Sequence, residues 1–409
     1  SKCYGKAVKS FREPAGPLYL EFVDLLLQQA ALPGDPKQVQ PYLLEAREAV
    51  ESLKVSELRD YFRDDCVDAA RTVATKLDAV SKSAVVIYPI ILQNRTELLV
   101  SLPSGMKRYT VPVGAQAMKQ EVKAFRKKLE KLTTREFLPY AQELYTWLIR
   151  PLEKDLAAAS VDTLVFVPDG PLRTIPMAAL HDGKQFLISK YAIAITPGLN
   201  LTDPRPIERK NLNVLTLGLT EAVQGFPSLP YVSDEIEAIQ GLYKNKLLLD
   251  KQFLLPVVEK SLKDEHFTIV HIASHGQFEN DIDRTFLLSF DDKMTMDRLH
   301  QYVGLLRFRE EPLELLTLSA CQTAAGEDRA ALGLAGIAVK AGARSALGTL
   351  WHINDQSSSV LVGEFYRQIR EPSVARASAL QHAQLKLLND KRYQHPAYWS
   401  PFLLINNWL

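Results

Sequence analysis

IVHIASHGQF, at residues 269–278, starts as a mostly aliphatic run and leads to a histidine, His275, which is followed directly by a glycine. A second stretch, LLTLSACQTA at residues 315–324, has the same form and delivers Cys321. Continuous aliphatic runs are typical of parallel strands that are buried on both faces. In open α/β sheets, ligands bind beyond the carboxyl ends of such strands. We therefore predict two buried strands that end at His275 and Cys321 and bring both side chains to one edge of an α/β sheet.

These two residues form a pair that can carry out nucleophilic catalysis. A thiol is only partly ionised near neutral pH, and it becomes a strong nucleophile when an imidazole takes its proton. His275 is the predicted base, and it can return the proton to a leaving group because imidazole titrates near neutral pH. The backbone N–H groups of Gly276 and Cys321 are the predicted oxyanion donors. The pattern indicates a cysteine hydrolase.

Structural roles are the alternative for each of these residues. Most free cysteines behave as small buried hydrophobes, and Cys321 could be one of them. His275 could be a hydrogen-bonded core histidine, and His271 is a rival base four residues earlier. In one regular strand the two histidines would face the same side, so alternation does not separate them. We assign His275 as the base because it lies at the predicted strand end and precedes a glycine, and we assign His271 a supporting structural role.

Composition excludes several classes of protein. Of the residues, 46% are hydrophobic and 24% charged, which is the composition of a globular protein. The length of 409 residues exceeds what one hydrophobic core usually holds and predicts two or three lobes. No apolar run is long enough to span a membrane, and a net charge of +1 gives no signal for nucleic acid. The three widely spaced cysteines indicate a reducing, cytoplasmic compartment without disulfides. No spacing of ligands predicts zinc, calcium or another metal, and we expect no cofactor.

The pattern of helices and strands divides the chain into three parts. Residues 1–83 show helical spacing interrupted by turns, which predicts helical hairpins at the end of a repeat array that would lie upstream. Residues 84–206 form a predicted α/β lobe whose strand end, VPDGPLR, carries neither cysteine nor histidine. Residues 207–409 alternate strands and helices, which predicts the parallel lobe that contains the reactive pair.

Four blocks of the second lobe resemble the signature blocks of the CHAT domain: HIASHGQF, LTLSACQTAAGE, GLAGIAVKAGARSALGTLWHIND and HPAYWSPFLLI. Upstream, TLVFVPDGPLRTIPMAALHD is similar to the first half of that family, and the match extends over residues 84–409. The resemblance implies a caspase-like three-layer α/β fold with a pseudo-protease lobe and an active lobe. It also implies the peptidase dyad of caspases, separase and gingipains, here His275 and Cys321, and tetratricopeptide repeats upstream.

Substrate selection is predicted to involve the segment that follows the strand SALGTLW. The resemblance places Asp355 where related proteases carry an acidic residue near the substrate pocket, which implies cleavage after arginine or lysine. A carboxylate can bind a guanidinium through two hydrogen bonds. Trp351 could line the pocket or belong to the core, and Asp355 could simply cap the following helix. Asn354 stands where the family often has a second acid, so the segment offers one negative charge fewer for binding a basic residue.

The expected partners are a protein or peptide substrate and a regulatory protein or ligand that acts through the helical repeats. Two other functions stay open: a catalytically idle interaction module with the same fold, and a cysteine hydrolase acting on a small molecule. Intact His275 and Cys321 argue against the first. For the second, the chain contains neither a phosphate-binding GxxxxGKS motif nor a GxSxG serine-hydrolase motif.

Overall fold

A computed structural model describes residues 16–32, 36–63, 83–202, 205–307, 313–323, 327–353 and 355–409. Within these ranges the chain forms one 13-stranded mixed sheet covered by helices. The helices are α1 (Gly16–Gln29), α2 (Pro36–Phe62), α3 (Ala115–Leu129), α4 (Leu138–Leu148), α5 (Glu153–Ala158), α6 (Val232–Gln240), α7 (Leu255–Asp264), α8 (Met296–Arg307), α9 (Asp328–Ala335), α10 (Ile337–Ala341), α11 (Asp355–Ile369) and α12 (Arg376–Leu388). The strands are β1 (Ala84–Ile91), β2 (Thr96–Leu102), β3 (Gly105–Val111), β4 (Thr163–Phe166), β5 (Ala192–Ile195), β6 (Asn213–Gly218), β7 (Lys244–Leu249), β8 (Ile269–Phe278), β9 (Phe286–Leu288), β10 (Lys293–Thr295), β11 (Leu313–Thr323), β12 (Ala343–Thr349) and β13 (Phe402–Asn406). The helical start and the two α/β regions predicted from the sequence are therefore present, while the boundaries at residues 83/84 and 206/207 stay predictions.

The sheet consists of two parallel blocks that run in opposite directions. In the first block β1, β4 and β5 are parallel, and in the second β7, β6, β8, β11 and β12 are parallel. Strand β13 joins them, because it pairs parallel to β5 and antiparallel to β12. The hairpin β2–β3 extends one side, and β9 and β10 extend the other. The last strand in sequence thus lies in the middle of the sheet.

Strands β8 and β11 lie in the centre of the second block and continue past the two reactive residues. The first half of β8 pairs with β6, and its second half pairs with the short strand β9. On its other side β8 pairs with β11 along nearly its whole length. The prediction that the strands end at His275 and Cys321 is therefore wrong by three and two residues. The added length exists because β9 and β11 supply hydrogen-bond partners to residues beyond Gly276.

Helix α2 carries buried charges into the first α/β region. Its Glu51 carboxylate accepts hydrogen bonds from the backbone N–H groups of Leu199 and Asn200, at 2.9 and 3.0 Å. Burial raises the pKa of Glu51, and these backbone hydrogen bonds oppose the shift. One turn further on, the Lys54 ammonium lies 2.6 Å from an oxygen of Asp169, which follows β4. Buried ions of this kind are stable only as pairs, so α2 belongs to the same folded unit as the sheet.

The C-terminal end of α2 contacts the segments that follow both central strands. The hydroxyl of Tyr61 donates a 2.9 Å hydrogen bond to the backbone oxygen of Glu279, just after β8. The Tyr61 ring also lies against Gly333 of α9, the helix that follows β11. In the same region Asp60 accepts a 2.8 Å hydrogen bond from Arg329. The C-terminal end of α2 is therefore packed directly against the segments that follow β8 and β11.

None of the helices in the described part of the chain has the length and apolar character needed to cross a membrane.

The contact between Tyr61 and Gly333 predicts a site where one methyl group is not tolerated. A Cβ atom at Gly333 would overlap the hydroxyl and ring of Tyr61, and that ring is held in place by its hydrogen bonds. We expect Gly333→Ala to lower the free energy of unfolding by about 1 to 3 kcal/mol, the usual cost of overpacking. Urea denaturation measures this loss.

Gly241→Ala is the matched control, because its Cβ would meet only the backbone oxygens of Glu237 and Ala238, at the ordinary contact distances of 3.6 and 3.8 Å. The proposed packing of α2 on α9 is wrong if the two alanine variants have the same stability.

Candidate active site

The pairing of β8 with β11 brings the two predicted catalytic residues to adjacent positions. In the register of this parallel pair, His275 lies opposite Ala320, and Gly276 lies opposite Cys321. Neighbouring strands are about 5 Å apart, so the backbones of His275 and Cys321 are next to each other at an offset of one residue. The side chain of Cys321 lies outside what the structure describes. The register therefore sets the two backbones beside each other, and the pair itself stays a prediction.

A β-bulge precedes His275. Ile272 pairs with Leu318 and His275 pairs with Ala320, so two residues of β8 stand opposite one residue of β11. The extra residue breaks the alternation of side chains between the two faces. The expectation that His271 and His275 face the same side of one regular strand is therefore wrong. Bulges commonly occur beside active sites, where they re-aim a side chain.

His275 is partly exposed, and its imidazole is fixed by the loop that follows β6. Its Nε2 atom lies 2.8 Å from the backbone oxygen of Pro227, and the Phe226 ring lies 5.1 Å from the imidazole, centroid to centroid. A carbonyl oxygen only accepts hydrogen bonds, so Nε2 carries the proton and donates it to Pro227. The neutral ring then has its basic lone pair on Nδ1. The sequence analysis missed Phe226 and Pro227, although the turn-rich GFPSLP segment after a strand was a signal for a loop at the site.

His271 lies in the core, in contact with helices α6 and α11. It is fully buried, and its Nδ1 atom lies 3.1 Å from the hydroxyl of Tyr366. That hydroxyl also lies 2.9 Å from the Thr317 hydroxyl on β11. The Nε2 atom of His271 is 2.8 Å from a carboxylate oxygen of Glu235, a close approach without the alignment of a hydrogen bond. Burial raises the pKa of Tyr366 well above its ordinary value. These contacts fit a histidine that ties two helices to the sheet.

Gly276 and Asp355 are further residues predicted for the site. Gly276 takes part in the ladder with β11 and also pairs with Leu287 of β9. Ladder N–H groups are normally bound to neighbouring carbonyls, so the oxyanion role of Gly276 and Cys321 stays a prediction. Asp355 is the first residue of α11, and its side chain is not among those that the structure describes. Asn354 lies outside the described residues.

Trp351 follows β12 but is buried rather than open to a cleft. It is 8% exposed, its indole N–H donates a hydrogen bond of 3.4 Å to the backbone oxygen of Ala397, and the Arg126 guanidinium lies over its ring. Arg126 in turn donates a hydrogen bond to the backbone oxygen of Leu350. Of the two interpretations left open by the sequence, these contacts favour the core.

The CHAT domain family model matches residues 138–407, which is well over half of the chain. The chain belongs to the CHAT domain family. This membership confirms the resemblance inferred from the sequence blocks, and with the observed sheet and helices it confirms the caspase-like α/β fold class. None of the curated protein sequences compared with the chain matches it significantly.

Solved structures similar to this CHAT chain include separase and gingipain. Two crystal structures of the Saccharomyces cerevisiae separase–securin complex match with 10% identity and TM-scores of 0.48 and 0.49, covering 98% and 96% of this chain. This chain spans 34% of the length of each of those chains. The Arg-specific cysteine proteinase gingipain R matches with 8% identity and a TM-score of 0.44, over 72% of this chain and 74% of its own.

The two histidines are expected to respond differently to truncation. His271→Ala removes a fully buried ring and takes away the imidazole partner of the Tyr366 hydroxyl, which also contacts the Thr317 hydroxyl. We therefore expect it to lower the free energy of unfolding by about 2 to 4 kcal/mol. His275→Ala removes a partly exposed ring, and we expect a loss below about 1 kcal/mol. The midpoints of urea denaturation give both values, and equal losses would contradict the assignment of His271 to the core.

Proposed function

We propose that this CHAT domain is a cysteine endopeptidase in which Cys321 is the nucleophile and His275 the general base and acid. The observation that carries the proposal is the register of β8 and β11, which sets the backbones of the two residues side by side. The hydrogen bond from His275 to Pro227 supports it further, because it leaves Nδ1 as the basic nitrogen. A base with a fixed tautomer is the requirement for activating a thiol.

In the proposed reaction, Nδ1 of His275 takes the thiol proton, and the Cys321 thiolate attacks the carbonyl carbon of the scissile peptide bond. The tetrahedral oxyanion would be held by backbone N–H groups, with Gly276 and Cys321 as candidates. The carbon–nitrogen bond then breaks as the imidazolium gives its proton to the leaving amine. A water molecule, deprotonated by the same imidazole, attacks the thioester and releases the acid product. The thiol regains its proton from the imidazolium, which restores the starting state.

Replacing Cys321 tests the nucleophile. We expect Cys321→Ala and Cys321→Ser to lower kcat/KM for a peptide substrate roughly ten-thousandfold or more, because the thioester can no longer form. The urea midpoint of each variant should equal that of the parent chain. The matched control is the double variant Cys3→Ser with Cys66→Ser, in which Cys321 is the one remaining cysteine.

The control variant should keep full turnover and be labelled once by a peptide chloromethyl ketone, at Cys321 by mass spectrometry. Undiminished turnover by the Cys321 variants would overturn the proposal.

We further propose that the substrate carries arginine or lysine at the residue before the cleaved bond. Asp355 begins α11 after β12, the strand that pairs with β11, and this order along the chain supports a position on the same side of the sheet as the proposed dyad. A carboxylate at the edge of a cleft selects guanidinium or ammonium groups by charge and hydrogen bonding. Because Trp351 is buried, its side chain would not contact the substrate and would instead pack beneath the residues that form the pocket wall.

Replacing Asp355 tests the preference for basic residues. If its carboxylate binds the substrate cation, Asp355→Asn should lower kcat/KM at least about tenfold for arginine and lysine peptides and leave a norleucine peptide unchanged. Peptides that differ only at this one position provide the measurement. An equal loss for all three peptides would assign Asp355 to capping of α11 instead.

Regulation through the helical segment has support from the contacts of α2. Its last turns touch the loop after β8 through Tyr61 and the helix after β11 through Asp60. A partner protein or ligand that displaces the helices upstream would therefore act on segments continuous with both candidate catalytic residues. Peptide turnover by Gly333→Ala, compared with Gly241→Ala, measures this coupling. Equal turnover by the two variants would separate α2 from the activity.

A catalytically idle interaction module is the second candidate function, and a hydrolase acting on a small molecule is the third. The idle module gains support if the folded chain is not labelled at Cys321 by any peptide chloromethyl ketone. Labelling by small electrophiles together with the absence of peptide cleavage would favour the small-molecule hydrolase.

A further inference from the structure

One cavity of the structure is formed by segments other than the strands that carry the candidate dyad. It is open to solvent on one side and is lined by the connection between α3 and α4, the segment at residues 181–189, and the segment between α12 and β13. Its volume is about 640 Å³, within the usual range of small-molecule sites. No residue of β8 or β11 lines it. The cavity is therefore a separate place where a ligand could bind.

The lining of this cavity is strongly cationic. Arg135, Lys184, Lys391 and Arg392 line it, and no carboxylate of the described residues does. Arg392 is bound to Asp390, while the other three cations make no ion pair within the described part of the chain. Like charges that share a concave surface without a counter-ion repel each other and concentrate anions. The lining thus favours a ligand with more than one negative charge.

Two histidines set the shape of the cavity. His395 connects two of its walls, because its Nε2–H donates to the backbone oxygen of Thr134 at 3.0 Å and its Nδ1 accepts from the N–H of Ala397 at 3.2 Å. The Nδ1 atom of His181 accepts a hydrogen bond from the N–H of Gly183, so its Nε2 is the ring donor. Burial lowers the pKa of both histidines, Asp182 opposes the shift of His181, the hydrogen bond to Thr134 opposes that of His395, and Arg135 adds to both shifts. Arg135 lines the same cavity as the two rings.

Aromatic rings form the apolar part of the wall. Phe186 and Tyr398 line the cavity and are partly exposed. The Phe186 ring is held by Phe137, stacked at 6.4 Å, and by Trp399, edge to face at 5.3 Å. A ring fixed in this way loses little entropy when a flat group packs against it. The cavity thus combines an aromatic surface with unpaired cations.

We infer that this cavity binds a nucleoside phosphate. The phosphate oxygens would be held by the side chains of Arg135, Lys184 and Lys391, which can donate charge-assisted hydrogen bonds. The base would pack against the rings of Phe186 and Tyr398. Inorganic phosphate alone would leave the aromatic surface unused, and an uncharged nucleoside would leave the cations unpaired. This binding is independent of the proposed peptidase reaction.

Calorimetric titration of the full chain with ATP, tripolyphosphate and adenosine tests the inference. ATP should bind most tightly, tripolyphosphate at least about tenfold more weakly, and adenosine more weakly still, because each of the last two lacks one half of the interaction. The double variant Arg135→Gln with Lys391→Gln should weaken ATP binding at least about tenfold, since it removes two charge-assisted donors.

The matched control removes two cations from another cationic cavity, through Lys210→Gln with Lys244→Gln, and should leave ATP affinity unchanged. Urea midpoints establish that both double variants fold. If the variant Arg135→Gln with Lys391→Gln does not fold, the single variant Lys184→Gln, at an exposed side chain, replaces it. Absence of ATP binding, equal affinity for ATP and tripolyphosphate, or equal losses in the two double variants would each overturn the inference.

Discussion

The parallel pairing of β8 with β11 is the constraint on which the rest of the structure depends. Each of these strands is a long aliphatic run, and each has a neighbour on both sides. Their register determines which residue of one strand stands beside Cys321 of the other. The bulge before His275 then separates the two histidines of β8, sending one into the core and leaving the other in contact with the β6 loop. Position in the ladder therefore gives two residues of the same type different surroundings.

Local patterns were sufficient to predict the strands that hold His275 and Cys321, because burial on both faces requires continuous aliphatic sequence. The same continuity hid the bulge, since a run without alternation carries no information about which face each residue occupies. The extra length of β8 also escaped prediction, because it depends on β9, a strand of three residues that pairs only in the folded sheet. Local sequence specifies elements well, and register depends on partners that are distant in the chain.

Helix α2 shows how a segment outside the family match becomes part of the folded unit. Its Lys54 and Glu57 are almost fully buried beside Asp169 and Arg173, which follow β4. Burial lowers the pKa of Lys54, and the nearby carboxylates oppose that shift. Periodicity predicted the helix, but the charged residues on it would ordinarily be assigned to a solvated face. Their burial follows from the complementary charges of VPDGPLR, a pairing between residues more than a hundred positions apart.

The position of β13 has a consequence for how the chain is made. This strand comes last of the thirteen in sequence order, yet it closes the gap between β12 and β5, and its Ile405 pairs with Ile195. During synthesis both blocks can form while β5 and β12 still present open edges, and open strand edges are prone to pair with other chains. Contacts between such distant residues also form slowly. These two edges therefore stay open to other chains until β13 pairs with both of them.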